Sequence, residues 1–346
     1  MSIFRPLNQP IAMSVFRPVL AGILAGESSD PLFYDPLSGL PTLEGSLAKS
    51  DPETVAFTAP TAQAIQTSQI IGVVLPDASE ITIPASTAIS LDTGSYSPGA
   101  DYAVHCTSAG SLVASASFTP PSGGVQIGGF HFAPGGNAVA QAGGDTTPAI
   151  NPYSIWDLRF RPACLDPRGM ALIAGRFWMD IYLTGINPHL DGTSKFGATI
   201  ADGSNRPTIP AAFGGDGSAR YSTYDWFAAC ETLAGYGKSL PTVEDFQLAA
   251  YGVTEGSSIG GDPITTQLDA ARTSKYGLIQ ATGNLWSWCR DSNNNADDVT
   301  GWGWQGVTGG RGSHYMRGST FVTRALAGGN WLRHPRFSRR QLGQWR

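Results

Sequence analysis

Six short segments between residues 54 and 132 alternate apolar and polar positions: TVAFTA, IIGVVL, EITIPA, YAVHCT, SLVASASF and VQIGGFHF. A period of two sends successive side chains to opposite faces of an extended chain, so each segment predicts a strand with one face in a core. Gly, Pro, Asp and Ser clusters separate them at short intervals, as in a small β-sandwich or barrel. Nearer the start, SIFRPL at residues 2–7 returns as SVFRPV at residues 14–19. The repeat predicts two equivalent short strands, each halted by a proline that has no N–H to give a ladder. One hairpin buries no core alone, so the segment up to about residue 50 is expected to need partner chains.

Past the last alternating segment, APGGNAVAQAGGDTTPAINP (residues 133–152) reads as a linker or long loop. A helical period then appears twice. In YDWFAACETLAGYG, Ser222 and Thr223 supply capping groups, Phe227, Cys230 and Ala234 form one stripe, and Gly235 ends the helix. In LPTVEDFQLAAYG, Thr242 is the N-cap, Asp245 sits at the capping-box position and Gly252 ends the helix. From Gly277 onward no helical period is sustained, and the chain is rich in Trp, Gly and Asn. The expected fold class is mostly β with an α+β C-terminal domain.

Composition agrees: 43 glycines, 24 prolines and only 14% charged residues. No apolar run approaches the roughly 20 residues that span a bilayer. VFRPVLAGILAGES, from Val15, imitates a signal peptide, but Pro18 at the head of so short an apolar run favours a buried strand instead. Cys106, Cys164, Cys230 and Cys289 lack the close pairing of a zinc site and are expected to be free, mostly buried thiols.

Charge changes the picture more. Residues 309–346 hold eight arginines and no Asp, Glu or Lys, although the chain carries a formal charge of -5; residues 1–308 therefore carry -13. So steep an asymmetry means either a solvated basic tail or side chains displayed for a partner. The loop DSNNNADD offers Asp291, Asn293 and Asn295 at the spacing that opens a calcium loop. Ala296 replaces its glycine and Trp302 its closing glutamate, which excludes an EF-hand. No cofactor is expected, a calcium ion in that surface loop being the one metal the residues leave open.

Four motifs stand in a telling order. YSTYDWFAAC, GKSLPTVEDFQLAAYG, GNLWSW and TRALAGGNW resemble successive motifs of the formylglycine-generating enzymes and their relatives. The resemblance implies the C-type lectin fold, in the variant those enzymes share with variable proteins of diversity-generating retroelements. GGFHFAPGGNAVAQAGGDTT, SIWDLRFRPACLDPRGMALIAG, DGTSKFGATIADGS, FGGDGSA, GLIQATGNLWSW and TGGRGSHY look most like the phage tropism determinants within that group.

The likeness implies three domains. Residues 1–50 would form a β-prism-like trimerisation segment, residues 51–150 a β-sandwich spacer, and residues 151–346 a C-type lectin-like ligand-binding domain with its variable region near 309–346. It also implies that Trp286, Trp288, Trp302, Trp304 and Trp331 are core. The displayed side chains would be Tyr315, Arg317, Asn330, Leu332, Arg333, His334, Arg336, Phe337, Arg339 and Arg340. Arg and aromatic residues suit that work, combining large contact area with forked donors.

The implied function is that of a receptor-binding protein at a phage or prophage tail-fibre tip. Its partners would be a bacterial surface protein or glycan, sister copies in a homotrimer and other tail-fibre proteins, without nucleic acid or membrane insertion. Leu342–Arg346 would be a shortened closing strand, or else the chain stops short of a complete domain. The alternative, a formylglycine-generating type of enzyme, needs a cysteine pair near the C-terminus, where only Cys289 stands. No other catalytic constellation is legible.

Overall fold

The computed structural model describes residues 47–159, 164–224, 226–254 and 263–281, together with the strand pair at 287–288 and 316–317. The N-terminal repeat and the signal-like stretch lie outside the described residues. Among the described residues the protein is mostly β, with few helices.

Strands β1 (Leu47–Lys49), β4 (Ile71–Val74) and β5 (Glu80–Ile83) form a three-stranded sheet in the order β1-β4-β5. The second sheet has eight strands. These are β2 (Phe57–Thr61), β3 (Ala64–Thr67), β6 (Ala88–Leu91), β7 (Ala100–Cys106), β8 (Leu112–Ser115), β9 (Val125–Ala133), β10 (Ala149–Ile150) and β11 (Trp156–Asp157). Its order is β10-β9-β7-β8-β6-β3-β2, with β11 also paired to β9. All pairs are antiparallel except β6 with β8.

Leu47, Ile71, Val73 and Ile83 of the small sheet share one core with Phe57, Ile65, Val104, Ile127 and Phe130 of the large one. Each of the six segments expected as strands overlaps one. The alternating pattern did not reveal β3 and β6, which are four residues each and contain Gln66 and Ser90; β3 leaves every second residue half-buried, and β6 exposes Ala88 and Ser90.

All nine residues of β9 are buried. One face meets the shared core, and the other is covered by later chain. Gly128 and Gly129 permit that cover: Trp156 lies so close that a methyl group on Gly129 would sit 2.7 Å from its ring. A second tie joins the sheets. Lys49 Nζ lies 3.1 Å from Asp157 Oδ2, with the two side chains 1% and 0% exposed. Lys49 also donates to the Thr54 carbonyl at 2.8 Å, and Asp157 accepts from the backbone of Ala56 and Arg159, both at 2.7 Å. Removing one member of so enclosed a pair leaves a buried charge unmatched, at a cost of about 3–5 kcal/mol.

The glycine-rich connection after β9 is no slack tether. Pro134, Gly135, Gly136 and Ala138 are buried. Its backbone is stitched to later chain by Ala138 N–H to the Ser274 carbonyl (3.1 Å), Gly143 to Gly252 (2.9 Å) and Gly144 to Ala270 (2.8 Å). Here glycine composition signals close backbone approach, not freedom of movement.

Beyond it, β12 (Met170–Ile173) and β13 (Phe177–Asp180) form an antiparallel hairpin. Ala171 and Ile173 pack with Ile181, Tyr182, Phe246, Ala249 and Ile279 in a second core. The helix Val243–Ala249 carries the expected capping box between Thr242 and Asp245. Ala250, not Gly252, is its C-cap, and Gly252 takes the left-handed conformation two residues on.

The helix Trp226–Ala234 differs from expectation in its orientation. Phe227 is 43% exposed, and Cys230 and Ala234 are half-buried, whereas Ala229, Thr232 and Leu233 face inward. The side that packs is set by Leu240 and neighbouring chain, which a local stripe does not encode. Among the described residues Cys106, Cys164 and Cys230 are free thiols, and Cys106 is fully buried. No described helix is long and apolar enough to cross a membrane.

Two buried histidines make stability depend on pH. His105 is 1% exposed; its Nε2 lies 2.9 Å from the Ser117 carbonyl while Nδ1 has no partner. Burial pulls its pKa below the ordinary 6.5. His189, with Nδ1 2.8 Å from Thr208 Oγ1, is shifted the same way by burial and by Arg220. A depressed histidine pKa means the unfolded chain takes up the proton first. The associated stability is therefore complete above pH 6.5 and is lost as pH falls below it. Urea midpoints of the intact chain should drop between about pH 7.5 and pH 5.5, and His105→Gln should shrink the drop; equal drops in parent and variant would contradict this.

Candidate functional site

Arg317 is the one expected display residue with a described backbone. It lies on β15 (Met316–Arg317), antiparallel to β14 (Ser287–Trp288), with Arg317 opposite Ser287. Tyr315, Asn330, Leu332, Arg333, His334, Arg336, Phe337, Arg339 and Arg340 lie outside the described residues. So do the calcium-like loop, Cys289, and Trp286, Trp302, Trp304 and Trp331.

What anchors this strand pair is visible. Trp288 is partly buried against Ala229, Leu233 and Leu240, beside Tyr224 and Cys230. Thr232, itself fully buried, returns its hydroxyl to the Ala228 carbonyl at 2.7 Å, so the inward face of the helix leaves no polar atom unmatched. The motif GNLWSW thus contributes a side chain to a third, small core, and the chain bearing Arg317 is attached there.

Beside Trp288 runs a groove of about 670 Å³, lined among others by Phe177, Trp178, Tyr236, Lys238 and Cys164. Lys238 Nζ is fixed at 2.7 Å from Asp180 Oδ1 and 2.8 Å from Thr193 Oγ1. Burial pushes the Cys164 thiol up to about 11, so at neutral pH it is protonated and a poor nucleophile. Among the described residues no three His, Cys, Asp or Glu side chains are grouped to hold a metal. The groove's chemistry is that of an apolar cleft with fixed charges at its rim.

A row of buried polar groups holds this C-terminal part onto the eight-stranded sheet. His131 on β9 lies 2.8 Å from Asp101 Oδ1 through Nδ1 and 2.8 Å from the Tyr182 hydroxyl through Nε2. Asp101 also accepts from the Gly169 N–H at 3.0 Å. Alongside, Asn151 Nδ2 donates to the Tyr276 carbonyl at 3.0 Å, and Asn137 donates to Asn151 Oδ1 (3.0 Å) and the Lys275 carbonyl (3.1 Å). Gly277, at φ +80°, is tied to this arrangement, because Asn151 occupies the space a side chain would need. Sequence reading missed the row; its one signal is a set of Asn, His and Asp placed in otherwise apolar or glycine-rich stretches.

The comparisons with known proteins follow the same division. Residues 47–157, the two-sheet part, match the family model described as the Mtd second domain. Across the wider chain, the tail fiber receptor-binding protein of Bordetella phage BPP-1 is 42% identical over 312 residues, which is 86% of this chain and 79% of that protein. The chain belongs to the family of the major tropism determinants. Among solved structures, the Major Tropism Determinant P3c variant is similar at a TM-score of 0.71 and 40% identity, covering 82% of this chain and 79% of that one. The I1 variant gives 0.70 and 39% over the same shares of the two chains.

If Trp288 is the anchor, its truncation should be felt in stability. Trp288→Ala should lower the urea unfolding free energy by about 2 kcal/mol, below the roughly 3–5 kcal/mol of a fully buried tryptophan, with Trp288→Phe losing less. An unchanged midpoint for Trp288→Ala would contradict the anchoring role.

Proposed function

We propose that the chain is a tail-fibre receptor-binding protein of a phage or prophage, and that its variable C-terminal surface, within residues 309–346, binds a bacterial surface protein or glycan. The observation that carries this reading is the 42% identity, over 86% of this chain, to a tail fiber receptor-binding protein. The arginine-rich, acid-free C-terminal stretch supports it, since guanidinium and aromatic groups supply most of the binding energy at compact interfaces. The contact residues in this reading are Tyr315, Arg317, Asn330, Leu332, Arg333, His334, Arg336, Phe337, Arg339 and Arg340.

The finer architecture belongs to the same proposal. Residues 1–50 serve as a trimerisation segment and 51–150 as a spacer, the sheet ladders reaching a little past these bounds, to Leu47 and Asp157. Residues 151–346 are the C-type lectin-like binding domain. Three copies at a tail-fibre tip, joined to other fibre proteins, would turn modest single-site affinity into strong adhesion, because the second and third contacts are intramolecular. The role is binding, without catalysis. The alternative, a formylglycine-generating type of enzyme, needs a cysteine pair near the C-terminus, where only Cys289 stands.

Labelled intact protein incubated with Bordetella cells and a panel of other bacteria tests the reading. The double variant Arg333→Ala with Arg336→Ala should lose at least about tenfold in bound signal, as for two hot-spot residues, at an unchanged melting temperature. Binding by the parent should weaken as salt rises. A double variant that adheres like the parent would remove the arginine face from the account.

A further inference from the structure

The β1-β4-β5 sheet turns one face to the shared core, where Leu47, Ile71, Val73 and Ile83 are buried. Its other face is open. Ile70, Gly72 and Val74 point outward, with Ile70 52% and Val74 38% exposed. Across the strands Gly72 lies between Ala48 and Thr82, both exposed, so the row between the two apolar side chains carries nothing longer than threonine. Among the described residues, a methyl group added to Gly72 would meet only the Ala48 methyl, at 3.6 Å. An antiparallel sheet facing water ordinarily sets polar residues on its outer side. An apolar outer face marks a contact.

Charge limits what can cover it. Residues 47–158 hold eight acidic residues and a single Lys or Arg, Lys49. That lysine is turned inward onto Asp157 and is 1% exposed, so the two-sheet part shows solvent no lysine or arginine. Asp51, Asp77 and Glu80 are exposed around the ends of these strands. The complementary cover is apolar, carries cations and lacks acids. Residues 1–25 have that composition: Arg5 and Arg17, one in each Phe-Arg-Pro repeat, are their only charged side chains, set among Ile, Leu, Val, Met and Phe. Residues 26–46 then lead directly into β1 at Leu47. That connection can span about 70 Å when extended, far more than the roughly 10 Å across three strands. The other acid-free, arginine-bearing stretch, 309–346, belongs to the C-terminal part, where Arg317 pairs with the strand anchored by Trp288.

We propose that residues 1–25 fold back onto the outer face of the β1-β4-β5 sheet of their own chain, covering Ile70, Gly72 and Val74. Phe4 and Phe16 supply the apolar contact, and Arg5 and Arg17 meet the acidic fringe. A segment seated in this way keeps its other side for sister copies. The seat is independent of which receptor is bound and of the receptor-binding reading itself.

Photocrosslinking of the intact chain tests the seat. With p-benzoylphenylalanine in place of Thr82, irradiation should give an adduct that migrates as a single chain on a denaturing gel and maps to residues 1–25. The same probe at Ala48 carries the test if the Thr82 position does not fold. A probe at Ala174, on the exposed tip of the β12–β13 hairpin, serves as the control and should give no such adduct. Phe4→Asp with Phe16→Asp should cut the adduct at least about tenfold, as the loss of one buried aromatic side chain would. Adducts that join two chains, adducts only with residues outside 1–25 (309–346 included), or no adduct at either position overturn the proposal. So does an equal yield from Ala174, or a yield unchanged in the double variant.

Discussion

Asp101, His131 and Asn151 project from the eight-stranded sheet region into chain that comes much later, and meet Gly169, Tyr182 and Tyr276 in a row of hydrogen bonds between 2.8 and 3.0 Å. Two apolar cores lie on either side of it. Apolar faces alone would let the two parts settle in several registers, because dispersion and burial are indifferent to small slides. Buried polar atoms are not indifferent. Each one left unmade costs about 1–3 kcal/mol, so a single relative placement satisfies them all. The rest of the C-terminal structure, the capped helix and the anchored Trp288 included, is built outward from that placement.

A fixed placement suits the work proposed for the chain. A surface whose side chains are free to vary must have its backbone held by residues that do not take part in binding. Among the described residues, the holding contacts come largely from chain before residue 309. Glycines let β9 lie against Trp156, Asn151 fills the space beside Gly277, and Thr232 and Leu233 close the small core beneath Trp288.

Much of the fold was legible because period-two alternation is a local property. The six patterned segments lie on strands β2, β4, β5, β7, β8 and β9. The Thr242–Asp245 capping box was equally legible, being contained within four residues. Failures came where tertiary contacts decide. The stripe Phe227, Cys230 and Ala234 is a fair helical stripe, but the neighbouring core takes the face of Ala229 and Leu233 instead. Residues 133–152 have the composition of a linker, yet fold tightly because partners more than a hundred residues away accept their backbone hydrogen bonds. Tyr182, His131 and Asp101 are separated by 51 and 30 residues, a spacing from which no local pattern predicts contact. Of the candidate site, the family motifs were readable, whereas the display residues, Arg317 excepted, lie outside the described structure.

Scanning calorimetry of the intact chain tests most directly whether the polar row makes the two parts one cooperative body. The account predicts a single transition spanning the two-sheet part and the C-terminal part, with matching calorimetric and van't Hoff enthalpies. Two separated transitions, with the two-sheet part melting independently of the C-terminal part, would contradict it.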